Sequence, residues 1–240
     1  MTTILQGTVD TLTAPLLHQP IAQARAGFGR LVVIDDGGGL ADRFADPACD
    51  IVVDPACGNW DFFADHDGEA DLALAARAIV AVPNMGAWFA HFMGVILEEI
   101  LREVAEESSA QLFEVGCRIR AFADESGFER MRRLGFERGS YNDRAVQSAC
   151  AGLRGLTYFT ARDLETPAVS IREWLAHSPG GVVFINAGEP TRACRSVTAA
   201  IVCVLSKTGG GWMTSSEMAR LMAGTAITPG ELSIRAQGGC

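Results

Sequence analysis

Three short aliphatic runs organise the chain. Leu31-Val32-Val33-Ile34-Asp35 leads into Asp36 and the glycines Gly37, Gly38 and Gly39. Asp50-Ile51-Val52-Val53-Asp54 stops at Pro55, and Val182-Val183-Phe184-Ile185-Asn186 follows the turn signal Ser178-Pro179-Gly180-Gly181. None alternates apolar with polar, which is the pattern of a strand covered on both faces, as in a parallel sheet. Each closes on a polar residue at its carboxyl end, the end of an open α/β sheet where ligands bind.

Between the second and third runs the period changes. Residues 69–82 are rich in Ala and Leu, with Leu72, Ala75, Ala76 and Ile79 on one stripe. Trp88, Phe92, Val95, Ile96, Ile100 and Val104 continue at helical spacing, with His91 on or near that seam. Residues 125–134 and 143–153 predict two further helices, the second capped by Asn142 or Asp143. No strand pattern interrupts this stretch, so an all-helical lobe inserted into an α/β core is the economical reading. The first thirty residues are weakly patterned around Pro15 and Pro20 and predict a helix or loop. Residues 196–205 fit either a helix or a buried strand, and a helix over 215–222 precedes a fraying end.

Composition narrows the classes. Apolar residues make up 48% and charged residues 20%, the balance of a soluble globular protein. The net charge of −9 argues against a freestanding, sequence-blind nucleic-acid binder, which needs clustered Lys and Arg. The charge is uneven, however. Residues 115–163 hold nine Arg against six acids, a local surplus of three positive charges, and Arg130, Arg132, Arg133 and Arg138 cluster there among Glu129 and Glu137. That cluster reads either as a contact surface for DNA or an acidic partner, or as a solvated, self-paired helix face.

Seven Cys without a C-x-x-C pair indicate reduced thiols that pack as small hydrophobes in a cytosolic compartment. No zinc spacing, nucleophile elbow, H-x-x-x-H or paired-carboxylate pattern occurs, so no metal ligand or catalytic residue is expected. The best apolar run, residues 86–104, is broken by His91, Glu98, Glu99 and Arg102, short of the roughly 18 to 20 apolar residues a membrane span needs.

Several segments, in order, resemble the type IV secretion coupling proteins of the TraD/TrwB kind, the ATPases of bacterial conjugation. Residues 31–40 are similar to that family's strand-Asp-x-x-Gly-Glu segment, with Leu40 in place of the acid. Asp42-Arg43-Phe44 followed by Asp50-Ile51-Val52-Val53-Asp54-Pro55 resembles its "F/Y…D-I-x-L-N-P" stretch, with Asp54 where Asn is usual. Asn59-Trp60-Asp61-Phe62-Phe63 resembles "x-W-D-x-F". Val169-Ser170-Ile171-Arg172-Glu173-Trp174-Leu175, then Gly181-Val182-Val183-Phe184-Ile185, resembles "F-S-I-R-x-W…G-W-L-F-I". The resemblance covers about residues 30–205. It implies a partial RecA-like parallel sheet core with an inserted all-α lobe, divided as 1–63, 64–165 and 166–240. It also implies that Trp60 and Trp174 pack where lobe meets core.

The departures bear on chemistry. Such a motor holds its nucleotide with G-x-x-x-x-G-K-[ST], whose amides and Lys cradle the phosphates. Residues 1–30 do not supply that motif, and the acid of the second ATPase motif is missing after Leu205. Nor does any segment of these 240 residues read as the family's membrane-anchoring helices. The resemblance therefore implies ATP and Mg for the complete family and no cofactor for this chain alone.

A weak nucleotide contact would fall on Asp35, Asp36 and Gly37, although the acids read first as a turn-capping pair before glycine. The partners implied are single-stranded DNA or a relaxase, and other coupling-protein subunits. The location implied is the cytoplasm, at the inner face of the bacterial inner membrane through partners. Two other readings remain open. One is a small α/β nucleotide- or metabolite-binding enzyme with its site at the strand ends Asp35, Asp54 and Asn186. The other is an inert gene fragment.

Overall fold

The computed structural model describes residues 2–7, 14–35, 39–80, 87–108, 110–124, 143–154 and 166–186, together with 156, 159, 161–162, 200–201 and 204–205. Four strands form one parallel sheet: β1 (Thr2–Gly7), β2 (Arg30–Asp35), β3 (Ile51–Val53) and β4 (Gly181–Asn186), in the order β1-β2-β4-β3. The runs of β2 and β4 are buried on both faces, as their lack of alternation predicts, whereas β3 is not, with Val52 37% exposed. Leu31, Val33, Val182 and Phe184 join Leu5 under one layer of helix, while Val32, Ile34, Val183, Ile185 and Val53 lie in the core of the opposite face.

The first layer is α1 (Ala14–Arg25), whose Leu17, Ile21 and Ala24 recur at helical spacing and are buried. With α1 and β1, the first thirty residues are more regular than their sequence suggests. Pro15 stands in the first turn, where a missing N–H is tolerated. Pro20 stands inside the helix, where it costs about 3 kcal/mol, and burial of the Leu17–Ile21–Ala24 stripe offsets it. The chain reverses at Gly27 with φ +83°, a left-handed conformation suited to Gly. Arg25 then bonds the carboxylate of Asp50 and the carbonyl of Phe44, tying α1 to the approach to β3. The short helix α2 (Leu40–Phe44) lies on the same side, with Leu40 buried.

The second layer is helical: α3 (Phe62–Asp65), α4 (Glu69–Val80), α5 (Ala87–Ala105), α6 (Leu112–Asp124), α7 (Asp143–Leu153) and α8 (Ile171–His177). The inward stripe of α5 is Phe92, Met93, Ile96, Leu97, Ile100, Leu101 and Val104, packed on Leu72, Ala75, Ala76 and Ile79 of α4. Gly152 of α7 meets Met93 so closely that a Cβ would lie 2.8 Å from its sulfur. Arg102 pairs with Glu98 and Glu99 of its own helix and with Glu69. Ala200, Ile201, Val204 and Leu205 are helical and buried in the same core, favouring helix over strand for that segment. The helices expected over 125–134 and 215–222 lie outside the described residues.

Three expectations are corrected. Trp88 was placed in the α5 seam, but it is 55% exposed, because the buried stripe begins one turn later at Phe92. His91 is exposed rather than packed. Cys49 and Cys57 are exposed thiols in the turns on either side of β3, whereas Cys150 is buried.

Candidate functional site

Parallel register aligns the carboxyl ends of the strands in one row. Gly7 is opposite Asp35, Asp35 opposite Asn186, and Asp54 follows Val53, the partner of Ile185. The three strand-end residues Asp35, Asp54 and Asn186 therefore meet along one sheet edge. Asn186 donates from Nδ2 to Asp54 Oδ2 at 3.1 Å.

Both carboxylates are already engaged by their own chain. Asp35 is fully buried, and its Oδ2 accepts the Leu40 amide at 2.6 Å, drawing α2 against the strand end. Asp54 caps the 3₁₀ turn Pro55–Cys57 by accepting the amides of Ala56 at 2.9 Å and Cys57 at 3.4 Å. Its Oδ2 also accepts the Cys57 thiol. Partial burial raises the Cys57 pKa, and the neighbouring Asp54 charge and hydrogen bond reinforce the shift. Asn59 completes this corner by donating to the Val52 carbonyl at 2.9 Å and accepting the Asp54 amide at 2.6 Å. One side-chain amide thus satisfies the backbone of β3 where a further strand would otherwise pair.

A second polar centre lies where the helical stretch leaves and rejoins the sheet. Trp60 and Val169 form an isolated parallel bridge, with Val169 N donating to Asn59 O and Asp61 N donating to Val169 O. Beside it Asp65, 3% exposed, accepts four donors: Trp60 Nε1 and the Ser170 hydroxyl at 2.6 Å, Arg172 N at 2.9 Å and Ile171 N at 3.1 Å. Ser170 caps α8, accepting the Glu173 amide at 3.0 Å. Asp65 takes the two preceding amides, so the cap is built from two segments far apart in sequence. Trp60 is buried and Trp174 partly buried against the same core, as the family resemblance implies.

Of the sequence-derived candidates, Asp35 is thus placed, and Asp36 and Gly37 lie outside the described residues. Arg130, Arg132, Arg133 and Arg138 do as well. Among the described residues, no group of three or more His, Cys, Asp or Glu is arranged to hold a metal, and no helix is long and apolar enough to cross a membrane.

The structure adds a position that the sequence reading passed over. A phosphate-binding loop joins a strand to a helix, and here β1 ends at Gly7 while α1 begins at Ala14. Gly7-Thr8-Val9-Asp10-Thr11-Leu12-Thr13-Ala14 has the spacing of G-x-x-x-x-G-K-[ST]. Only its first glycine is kept. Counted along the sequence from Gly7, Leu12, Thr13 and Ala14 fall at the positions of the second Gly, the Lys and the hydroxyl residue. A triphosphate needs that Lys for its β- and γ-oxygens and that hydroxyl for its Mg. The residues present do not fit the group. The signal was the strand end at Gly7, obscured by the polar start of β1.

Comparison with known proteins decides the family. Residues 1–220 match the type IV secretion-system coupling protein DNA-binding domain. The chain belongs to that family. Solved structures agree on the fold. It is similar to the bacterial conjugative coupling protein TrwBΔN70 in its trigonal form with sulphate, with a TM-score of 0.62 and 20% identity over 85% of this chain and 51% of that one. It is also similar to plasmid coupling protein TrwB in complex with the ATP analogue ADPNP, at TM-score 0.63, 20% identity, 88% of this chain and 53% of that one. A further TrwB structure is a complex with ADP and Mg²⁺. The chain spans about half the length of these coupling proteins. No curated protein matches the sequence.

Proposed function

We propose that this chain serves conjugative DNA transfer as a coupling-protein domain that engages single-stranded DNA, or the relaxase carrying it, without hydrolysing nucleotide itself. One observation carries the reading. The match to the coupling-protein DNA-binding domain runs over residues 1–220, while the sequence between β1 and α1, Gly7–Ala14, lacks the Lys and the following hydroxyl of the phosphate-binding motif. Phosphoryl transfer is chiefly positioning and charge stabilisation, so a site without those groups lacks the means of turnover.

Contact with DNA is assigned to the helical lobe and its Arg130, Arg132, Arg133 and Arg138. Any turnover that drives transfer then comes from complete coupling-protein subunits, with this chain held at the inner face of the membrane through its partners. Binding to a single-stranded oligonucleotide tests the reading. Affinity should fall steeply with salt, by about 0.7 in log–log slope per phosphate contacted, and Arg132→Glu with Arg133→Glu should weaken it. Absent or salt-insensitive binding, or phosphate release from ATP that Asp35→Ala abolishes, would overturn it.

A further inference from the structure

The helical lobe is joined to the sheet by two passages of chain, one leaving after β3 and one returning before β4. The two are stitched side by side. Val169 N donates to Asn59 O at 2.8 Å, and Asp61 N donates to Val169 O at 2.9 Å. A turn further on, Asp65 of the outgoing passage holds the returning one through both carboxylate oxygens. Oδ1 accepts the Ser170 hydroxyl and the Arg172 amide, while Oδ2 accepts the Trp60 indole N–H and the Ile171 amide. Each oxygen thus takes one side-chain donor and one helix amide. The Trp60 ring is held in turn by an edge contact with Phe62, with 5.2 Å between centroids.

We propose that this junction is a latch that makes lobe and sheet one cooperative unit, so that a partner gripping the sheet also sets the orientation of the lobe. The lobe and one face of the sheet do share an apolar core. Apolar contact is non-directional, however, and packed layers can slide past one another. Hydrogen bonds to a buried carboxylate are directional and among the stronger ones. Four of them, converging from both passages, favour one relative placement. The inference holds whatever the lobe contacts.

Native-state hydrogen exchange on the full chain, read residue by residue as urea is raised, tests it. In the wild type the slowest amides of α4 and α5 and those of β2 and β4 should merge into one opening at the global free energy. The junction amides of Asp61, Val169, Ile171 and Arg172 should join them. Asp65→Asn keeps the side-chain volume but turns an NH2 group toward two donors. In that variant lobe and sheet amides should separate into two openings, about tenfold or more apart in exchange rate, with the junction amides following the faster. Trp60→Phe, which removes one donor and keeps a ring, should give a smaller split, and it carries the test if Asp65→Asn does not fold. Separate openings of lobe and sheet in the wild type, or a single opening retained in every variant that folds, would overturn the latch.

Discussion

The Asp65 carboxylate accepts the Ser170 hydroxyl at 2.6 Å across 105 positions of sequence. The helical stretch departs just after the first residue and returns just before the second, so this bond and its neighbours fix where that stretch joins the sheet. Removing the carboxylate strands a tryptophan N–H, a hydroxyl and two helix amides. Each buried donor left unpaired costs about 1–3 kcal/mol, so Asp65→Ala should lower stability in urea unfolding by at least about 3 kcal/mol. Ser170→Ala, which removes the hydroxyl but leaves Asp65 its amides, should cost about 1 kcal/mol. Equal costs for the two variants would show that the carboxylate is not the centre of the clamp.

Arg25 and Asp50 make stability depend on acid. Burial alone would raise the Asp50 pKa, but the Arg25 hydrogen bond, the Asp46 amide and the Arg25 charge outweigh it, and the net shift is downward. Arg25 is correspondingly raised, chiefly by its bond to Asp50. A carboxylate with a lowered folded pKa contributes stability above its unfolded value, near 3.9, and loses it as pH falls through the folded value. Thermal unfolding should therefore show a steeper acid loss in the wild type than in Asp50→Asn, with the two curves converging once the pH lies below the lowered folded value. At neutral pH the variant should be less stable by about 2 kcal/mol.

Exposure alone would make Cys57 a reactive thiol, yet its pKa is raised by burial and by Asp54. The thiolate is the nucleophile. Disulfide-exchange labelling of Cys57, followed by peptide mapping, should be slow at neutral pH and should accelerate as pH rises. Asp54→Asn should speed it at neutral pH by removing the nearby charge. Labelling as fast as that of a free thiol would contradict the assignment.

Strands β2 and β4 were readable because a run buried on both faces needs no periodicity to announce it, and their polar ends marked the sheet edge. The Ser170 cap was readable because it is local. The opening β1–α1 unit was not. Thr2 and Thr3 interrupt the apolar run that would announce a buried strand, and two prolines mask a helix whose stripe is only Leu17, Ile21 and Ala24. Trp88 was misplaced because helical spacing gives a stripe without saying where burial begins. Asp65 drew no notice since its four partners come from segments distant in sequence, a convergence that no local pattern encodes. Of the candidate site, the edge row followed from parallel register, but the engagement of its acids by Leu40, Ala56 and Cys57 needed coordinates.

The central claim is DNA engagement that does not depend on the chain's own nucleotide. Its most direct test is the affinity for a single-stranded oligonucleotide, measured by anisotropy with and without ATP and Mg²⁺. Salt-sensitive binding of equal strength in both conditions is predicted, because Leu12, Thr13 and Ala14 replace the groups that would sense the triphosphate. Binding that appears only with ATP, or no binding in either condition, would contradict it.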